Sequence, residues 1–280
     1  MKIKVIKKTN NNMRLIVEGT DAAFMNTFRR IMLTEVPCMA IDEVIVIENS
    51  SVFHDEVLAH RLGFVPLITD LDSYNLPEEC TCKSELGCNL CRVTLTLDVE
   101  AVDDAKIVYS GDLFSENPNI RPVSDKILIA KLAPDQRIKL ESIARLGKGK
   151  SHAKWQPVSV CAYKNLPLIN IDAKNCNACG ECVNVCPKKV LALVGKELVV
   201  GNAIDCTLCQ DCVDVCPAVP AAIKVAGKED TFVLEYESNG VLSVEKLMFA
   251  TLKILDKKVD DFLNQLTTIN VPEQKSKMDA

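Results

Sequence analysis

The chain has 280 residues, 48% of them hydrophobic, which is enough to fill more than one core and to form two or three domains. A formal net charge of −5 and an aromatic content of 5% argue against a broad nucleic-acid-binding surface and against a platform for stacking bases. Residues 1–4 lead directly into a strand-like alternation without an apolar leader, and no stretch approaches about 18 uninterrupted apolar residues. Fourteen cysteines in ligand-like spacings therefore predict a protein of the reducing cytoplasm with no membrane span.

The N-terminal residues predict a hairpin followed by a helix. Residues 2–8 and 13–18 alternate apolar and polar side chains around an Asn-rich turn, as β-hairpins do. Asp21 is a suitable N-cap for a helix over residues 22–35, which the Val36-Pro37 step ends. One face of that helix is apolar and is interpreted first as ordinary core packing; its members are Phe24, Phe28, Ile31 and Met32.

The next segments alternate strands and a short helix. Residues 40–49 and 92–99 have strand patterns, and residues 54–62 predict a helix. His54 and His60 lie at or in that helix with no second ligand pair at a fitting distance, so we interpret them as solvated or hydrogen-bonded histidines. Further strands are expected at residues 125–132, 136–146 and 231–237.

A first cysteine group occupies a polar stretch between these strands. Its spacing is Cys80-x-Cys82-x5-Cys88-x2-Cys91, and four thiols this close suit a tetrahedral structural zinc in a loop. The five-residue gap is irregular for zinc, and free thiols or a disulfide would give the same sequence. Cys38 and Cys161 lie in apolar surroundings and are predicted to be small buried hydrophobes.

Residues 147–151 read Gly-Lys-Gly-Lys-Ser, which superficially resembles a phosphate-binding loop. The stretch lacks the G-x4-G-K-[ST] spacing and a following helix, so a nucleotide site is not expected. A basic turn beside the single tryptophan, Trp155, is the better interpretation.

Two tandem cysteine runs dominate the second half of the chain. They read Cys176-x2-Cys179-x2-Cys182-x3-Cys186-Pro187 and Cys206-x2-Cys209-x2-Cys212-x3-Cys216-Pro217. This is the spacing of bacterial-type ferredoxins, in which the fourth cysteine of each run binds the other cluster. Zinc, which rarely takes a three-plus-one pattern, and a disulfide scaffold are the alternatives. The crossed rule predicts two [4Fe–4S] clusters, one held by Cys176, Cys179, Cys182 and Cys216, and the other by Cys206, Cys209, Cys212 and Cys186.

A long helix is predicted from Ser243 to about Leu266, with a polar tail after Ile269 that is expected to be disordered. Its apolar stripe recurs at steps of three and four residues and is broader than one sheet needs. We therefore expect this helix to pack on a partner as well.

Four segments together resemble one protein family. They are residues 23–44 (AFMNTFRRIMLTEVPCMAIDEV), 55–67 (DEVLAHRLGFVPL), 147–157 (GKGKSHAKWQP) and 242–262 (LSVEKLMFATLKILDKKVDDF). They resemble the D-type subunit family of archaeal DNA-directed RNA polymerase, the counterpart of the bacterial α-subunit N-terminal domain and of the third subunit of eukaryotic polymerase II. The resemblance covers essentially the whole chain and implies the two-cluster type of this family.

The resemblance implies an α+β fold of three domains. Residues 1–41 and 227–280 would form a discontinuous dimerisation domain of hairpin, sheet and two helices. Residues 42–166 would form an inserted mostly-β domain that carries the cysteine loop 80–91. Residues 167–226 would form a ferredoxin-like module with two [4Fe–4S] clusters.

The resemblance also implies partners. The dimerisation domain would form a heterodimer with the small L subunit, and this heterodimer would recruit the small N and P subunits and the large catalytic subunits. The Arg29-Arg30 pair and the corner at residues 62–66 match family positions that face the large subunits. The cysteine loop 80–91 lies where the eukaryotic relative carries a zinc loop, although its spacing differs. The implied interface consists of Phe24, Phe28, Arg29, Arg30, Ile31, Leu252, Leu255, Val259 and Phe262.

Two functions are compatible with these features. The first is a non-catalytic assembly subunit of the polymerase, because no activated nucleophile or paired-carboxylate site is evident. Its clusters would be structural and would also sense redox state during assembly. The alternative is a ferredoxin-like electron-transfer subunit of a cytoplasmic oxidoreductase, the commonest use of such a module. The remaining residues carry no flavin or nicotinamide signature, which favours the first function.

Overall fold

A computed structural model of the chain describes residues 1–84 and 86–268. The strands are β1 (Lys2–Lys8), β2 (Asn12–Glu18), β3 (Pro37–Asn49), β4 (Arg92–Ala101), β5 (Lys106–Tyr109), β6 (Phe114–Ser115), β7 (Leu128–Leu132), β8 (Gln136–Lys148), β9 (Val158–Ile171), β10 (Leu191–Val194), β11 (Glu197–Val200) and β12 (Ile223–Ser238). The helices are α1 (Ala22–Thr34), α2 (Asp55–Gly63), α3 (Glu181–Val185), α4 (Asp211–Asp214) and α5 (Val244–Thr268). Antiparallel sheets with separate helices confirm the predicted α+β class. The tail predicted after Ile269 lies outside the described residues.

The chain divides into two compact units, each made from two separate stretches. Residues 1–29 and 160–237 form the first unit, and residues 30–159 with those from 238 onward form the second. The chain therefore leaves each unit and later returns to it.

The first unit is built on a four-stranded sheet in the order β1-β2-β12-β9. The predicted hairpin is confirmed, since β1 and β2 pair antiparallel and the N–H of Thr9 donates to the carbonyl of Asn12 at 2.8 Å. Alternate residues of β2 are buried, as its sequence pattern requires, whereas β1 is exposed along its whole length. The Asp21 carboxylate accepts the N–H of Phe24 at 2.7 Å, which confirms the predicted helix cap.

The cysteine runs lie in the connection between two neighbouring strands of this sheet. β9 ends at Ile171 and β12 begins at Ile223; between them are α3, α4 and the small hairpin β10-β11. The fully buried apolar core of this module is small and consists of Cys182, Leu191 and Ile223. Packing alone therefore gives these residues little to fold around.

The second unit has a much larger core under the sheet β3-β8-β4-β6, with the β5-β7 pair beside it. Leu58 and Leu62 of α2 are buried in that core. The strand expected from residue 125 begins at Leu128 instead, because Asp125 and Lys126 form a turn, in which the N–H of Lys126 donates to the Ser124 hydroxyl at 3.3 Å.

Helix α5 changes character along its length. Val244, Leu247 and Thr251 near its start are buried, whereas every residue from Asp256 to Thr267 is exposed. Lys258 of α5 forms an ion pair with Glu35, with its Nζ 2.6 Å from the Glu35 carboxylate. None of the helices in the described ranges combines the length and the apolar character needed to cross a bilayer.

Candidate functional site

The two cysteine runs fold into loops of the same shape. In the first loop Ala178 and Gly180 have φ values of 55° and 81°, and in the second the equivalent Leu208 and Gln210 have φ values of 62° and 71°. Positive φ is unfavourable for residues other than glycine, so three of these four positions are strained. A sequence accepts such strain where the backbone must turn tightly around a bound group.

Each loop closes over a hollow that contains cysteines from both runs. One hollow is lined by Cys176, Cys179 and Cys182 of the first run and by Cys216 of the second. The other is lined by the remaining four cysteines of the two runs: Cys206, Cys209, Cys212 and Cys186. The other lining residues are mainly apolar, among them Leu193, Leu198 and Ile223 around the first hollow. The structure thus brings together the same two sets of thiols that the crossed ligand rule groups.

Backbone amides point at sulfur atoms in both hollows. The N–H of Leu208 lies 3.5 Å from the Sγ of Cys206, that of Val190 3.5 Å from Cys186, and that of Ala222 3.4 Å from Cys216. Hydrogen bonds to ligand sulfurs are a regular feature of iron–sulfur sites, where they stabilise the anionic cluster. The donor set therefore fits the cluster chemistry.

Burial makes one thiol in each hollow hard to ionise on its own. Burial and the neighbouring Cys179 and Cys176 raise the pKa of Cys182, and burial together with Cys206 and Cys209 raises the pKa of Cys212 to about 11. Several thiolates crowded into a partly buried site repel one another unless a cationic group compensates for their charge. Bound iron would supply that charge and keep the thiols deprotonated.

The first cysteine group converges on a single point. The Sγ atoms of Cys80, Cys82, Cys88 and Cys91 all lie within 4.8 Å of one another. The Cys80–Cys88, Cys82–Cys91 and Cys88–Cys91 sulfur distances are 3.7, 3.8 and 3.9 Å. Zn–S bonds of about 2.3 Å in a tetrahedron place the sulfurs about 3.8 Å apart, so these four thiols fit one zinc ion.

The loop around this group is shaped to bring the thiols together. Lys83 and Gly87 have positive φ, and a side chain at Gly87 would contact the Cys91 sulfur. The N–H of Cys88 donates to the Cys91 sulfur at 3.1 Å. Hydrogen bonds from the Ser84 backbone and the Cys80 side chain lower the pKa of Cys82 to about 7, so one ligand is readily ionised.

The predicted interface residues differ in accessibility. Phe28 and Ile31 are buried within the chain, whereas Phe24 is half-buried and Arg30 is exposed. Arg29 donates to the Asn26 side chain at 3.0 Å. On α5, by contrast, several apolar side chains face solvent: Phe249 is 71%, Phe262 61% and Val259 49% exposed. Leu252 is exposed as well, and Leu255 is half-buried.

The remaining candidate residues have ordinary roles in the structure. His60 contacts the ring of Phe64 at 5.1 Å between centroids, and Phe64 contacts His152 at 5.7 Å. In the corner at residues 62–66, Leu62 and Val65 are buried, and the exposed Phe64 belongs to this small aromatic group. Cys38 and Cys161 are buried, and burial raises the pKa of each thiol to about 12, as expected of inert cysteines.

Sequence reasoning missed two residues beside the second hollow. Arg14 of β2 forms an ion pair with Asp205 at 2.8 Å, and Lys164 of β9 donates to the carbonyl oxygen of Cys206 at 2.7 Å. Arg14 is far from the cysteines in the chain, and a single basic residue in a strand gives no signal of such a contact.

Comparison with known proteins agrees with this arrangement. Residues 44–174 match the RNA polymerase Rpb3/RpoA insert domain, and residues 175–219 match the 4Fe-4S dicluster domain. The chain is 41% identical to the DNA-directed RNA polymerase subunit Rpo3 of Methanosphaera stadtmanae over 94% of its own length and 98% of that relative's. Identity to Rpo3 of Archaeoglobus fulgidus is 41% over 92% and 95% of the two chains, and to Rpo3 of Methanothermobacter thermautotrophicus 42% over 94% and 98%. The chain therefore belongs to the Rpo3 family of DNA-directed RNA polymerase subunits.

Proposed function

We propose that this polymerase subunit is a non-catalytic assembly platform that pairs with the small L subunit. Residues 1–41 and 227–280 are the proposed dimerisation domain, residues 42–166 the inserted domain and residues 167–226 the cluster module. The heterodimer would recruit the N and P subunits and the large catalytic subunits in the cytoplasm. One observation carries the proposal, namely the apolar face of α5 that the described residues leave exposed to solvent.

That face is hard to explain for a helix that stays in water. Its apolar side chains recur at steps of three and four residues: Leu252, Leu255, Val259, Phe262 and Leu266. The polar side chains between residues 256 and 267 are exposed as well, so both faces of this part of the helix are in solvent. Full burial of one such side chain is worth about 1.5–3 kcal/mol. A helix from a partner that covers this stripe would gain that energy, whereas the Arg29-Arg30 pair of α1 would face the large subunits.

We further propose that the two hollows hold two [4Fe–4S] clusters with the crossed ligand sets, and that these clusters are primarily structural. The module has a very small core, so eight thiolates bound to iron would hold its loops in place of packed side chains. Redox sensing during assembly is part of the same proposal, since cluster loss would release these loops. The idea fails if cluster removal leaves both the module fold and polymerase assembly unchanged.

We assign zinc to the Cys80–Cys91 group on the strength of its sulfur distances. A tetrahedral ion there would fix a loop that contains little regular structure. Elemental analysis of anaerobically prepared protein tests both assignments together. We expect about eight iron atoms and one zinc per chain, from the stoichiometry of two cubane clusters and one tetrahedral site.

Electron transfer to a redox partner is the competing function, because Cys179 and Cys209 are exposed at the rims of the two hollows. Affinity purification of the tagged chain from its own cells separates the two. Recovery of a small partner protein with the large polymerase subunits supports the platform, and recovery of a flavin- or nicotinamide-dependent oxidoreductase overturns it.

A further inference from the structure

The second cysteine loop, residues 203–210, is tied to the sheet of the first unit by two basic side chains. Arg14 Nη1 lies 2.8 Å from the Asp205 carboxylate, and its Nη2 donates to the Ile204 carbonyl at 3.4 Å. Lys164 Nζ donates to the Cys206 carbonyl at 2.7 Å. Side chains of β2 and β9 therefore hold residues 204–206, which end at the first cysteine of the second run.

The far end of the same loop also contacts the sheet. Gln210 Nε2 donates to the Val225 carbonyl of β12 at 3.0 Å. A side chain at Gly227 of β12 would meet a methyl group of Leu208 at 3.4 Å, so loop and strand approach closely here. Contacts from three strands thus surround the residues that line the second hollow.

The first cysteine loop, residues 172–180, is held in another way. Asn175 donates to the Pro220 carbonyl, the N–H of Cys176 to the Asp172 carbonyl, and the N–H of Cys179 to the Asn177 side chain. These contacts come from the loop itself and from the segment just after the second run. The two hollows are alike in ligands, and the first also reaches the sheet, because Ile223 of β12 lines it. What distinguishes the second loop is its side-chain contacts with Arg14 and Lys164.

Arg14 occupies a central position in that sheet. It lies directly opposite Glu235 in the antiparallel pairing of β2 with β12, and its Nε is 3.5 Å from the Glu235 carboxylate. Its side chain is only 20% exposed, so its ion pairs are less weakened by water than ordinary surface pairs. A change in the position of Asp205 would therefore be felt where β2 and β12 meet.

We propose that Arg14 and Lys164 are positioning residues that fasten the second cysteine loop to the sheet. Occupancy of the second cluster site, and not of the first, then controls how stably β2 and β12 remain paired. The inference rests on the proposed presence of both clusters. When the second cluster is lost, its ligand loop loses its fixed shape, the contacts to Arg14 and Lys164 break, and the sheet opens more often. Loss of the first cluster releases a loop that these side chains do not hold.

Hydrogen exchange on the full chain, reconstituted anaerobically with iron and sulfide, tests the asymmetry. Cys209→Ser and Cys179→Ser remove equivalent exposed ligands, one from each site. We expect Cys209→Ser to speed exchange in residues 13–17 and 232–236 by about tenfold, and Cys179→Ser by less than about twofold. Equal effects of the two variants, or a larger effect of Cys179→Ser, overturn the proposal.

Variants of the basic residues test their part in it. Lys164→Met removes the donor to Cys206, and Lys164→Arg retains one; Lys228→Met is the control, because Lys228 pairs with Asp230 on its own strand. In Lys164→Met and Arg14→Met we expect about half of the bound iron, that of the second cluster, to pass to a chelator faster than in wild type. Lys164→Arg and Lys228→Met should release their iron at close to the wild-type rate. If Lys164→Met releases iron no faster than Lys228→Met, Lys164 does not fasten the second cysteine loop and the proposal is refuted. If the wild-type chain takes up no iron, the cluster proposal and this inference are overturned together. If the chain binds two clusters and loss of either has the same effect on hydrogen exchange, this inference alone is overturned.

Discussion

The indole ring of Trp155 occupies the space that a side chain at Gly147 would need. Its Nε1 donates to the Arg145 carbonyl at 3.2 Å, and the Lys154 ammonium lies 4.3 Å from the ring centre. Lys154 also pairs with Asp42 at 2.7 Å. The glycine in the Gly-Lys-Gly-Lys-Ser stretch is therefore required by an aromatic packing contact.

Gly147→Ala should destabilise the second unit by about 1–3 kcal/mol, because the added methyl group must displace the indole from its packed position. Fluorescence of Trp155, the only tryptophan in the chain, reports the urea unfolding of this unit directly. Gly63→Ala is the matched control, since a side chain there meets only ordinary contacts at 3.6 Å or more. Equal midpoints for the two variants would show that Trp155 moves aside freely.

Local signals in the sequence predicted what is local in the structure. The hairpin, the Asp21 cap and the cysteine spacings each depend on residues close together in the chain, and the structure shows the loops and caps that they imply. The same reasoning missed the whole of β9, which pairs with β12, a strand far away in the chain. It also missed Arg14 and Lys164, whose roles depend on contacts between distant segments.

An apolar stripe on a helix does not reveal what covers it. Phe28 and Ile31 of α1 and Val259 and Phe262 of α5 have the same helical periodicity. The structure buries the first two within the chain and leaves the other two in solvent. Periodicity in the sequence identifies an apolar face of a helix. The folded chain is needed to tell whether other residues of the same chain cover that face or leave it for a partner.

The Asp98–Arg137 pair should make the stability of the second unit depend on pH. Arg137 binds both carboxylate oxygens of Asp98, at 2.8 and 2.9 Å, and this hydrogen bonding, with Lys139 nearby, holds the pKa of Asp98 below its ordinary value. A carboxylate with a lowered folded-state pKa stabilises the fold above its unfolded pKa of about 3.9, and that contribution is lost as pH falls through the folded value.

Asp98→Asn should therefore lower the urea midpoint of Trp155 fluorescence at pH 7 by a small and constant amount down to about pH 5. Below about pH 4 the difference from wild type should shrink, because the wild-type carboxylate also becomes neutral. Asp104→Asn, in the exposed loop after β4, controls for net charge. A difference between Asp98→Asn and wild type that stays the same at pH 3 would contradict the ion-pair explanation.

Loss of one thiol from the Cys80–Cys91 group should empty the proposed zinc site and leave the iron of the proposed clusters in place. Cys88→Ser leaves three sulfur ligands, and we expect its zinc content to fall from about one per chain to near zero with unchanged iron. Cys38→Ala, which removes a buried thiol outside the group, should retain both metals. Zinc retained by Cys88→Ser, or iron lost from it, would mean that the four converging sulfurs are not an independent site.

The exposed face of α5 makes the sharpest prediction about assembly. Phe262→Asp puts a charge in the centre of the apolar stripe but changes a side chain that is 61% exposed in the chain alone. The free protein should therefore fold as before, while affinity for the L subunit should fall by at least about 100-fold, the loss typical of a buried aromatic anchor.

Asn264→Asp introduces the same charge two residues later, on the opposite side of the helix, where the side chain is also exposed. Titration of each variant with the purified L subunit, followed by calorimetry, compares the two directly. If the stripe is the interface, Asn264→Asp binds within about threefold of wild type while Phe262→Asp does not, because only Phe262 becomes desolvated in the complex. Equal affinities would mean that the L subunit covers another surface, and the apolar face of α5 would then have to meet a different component of the polymerase.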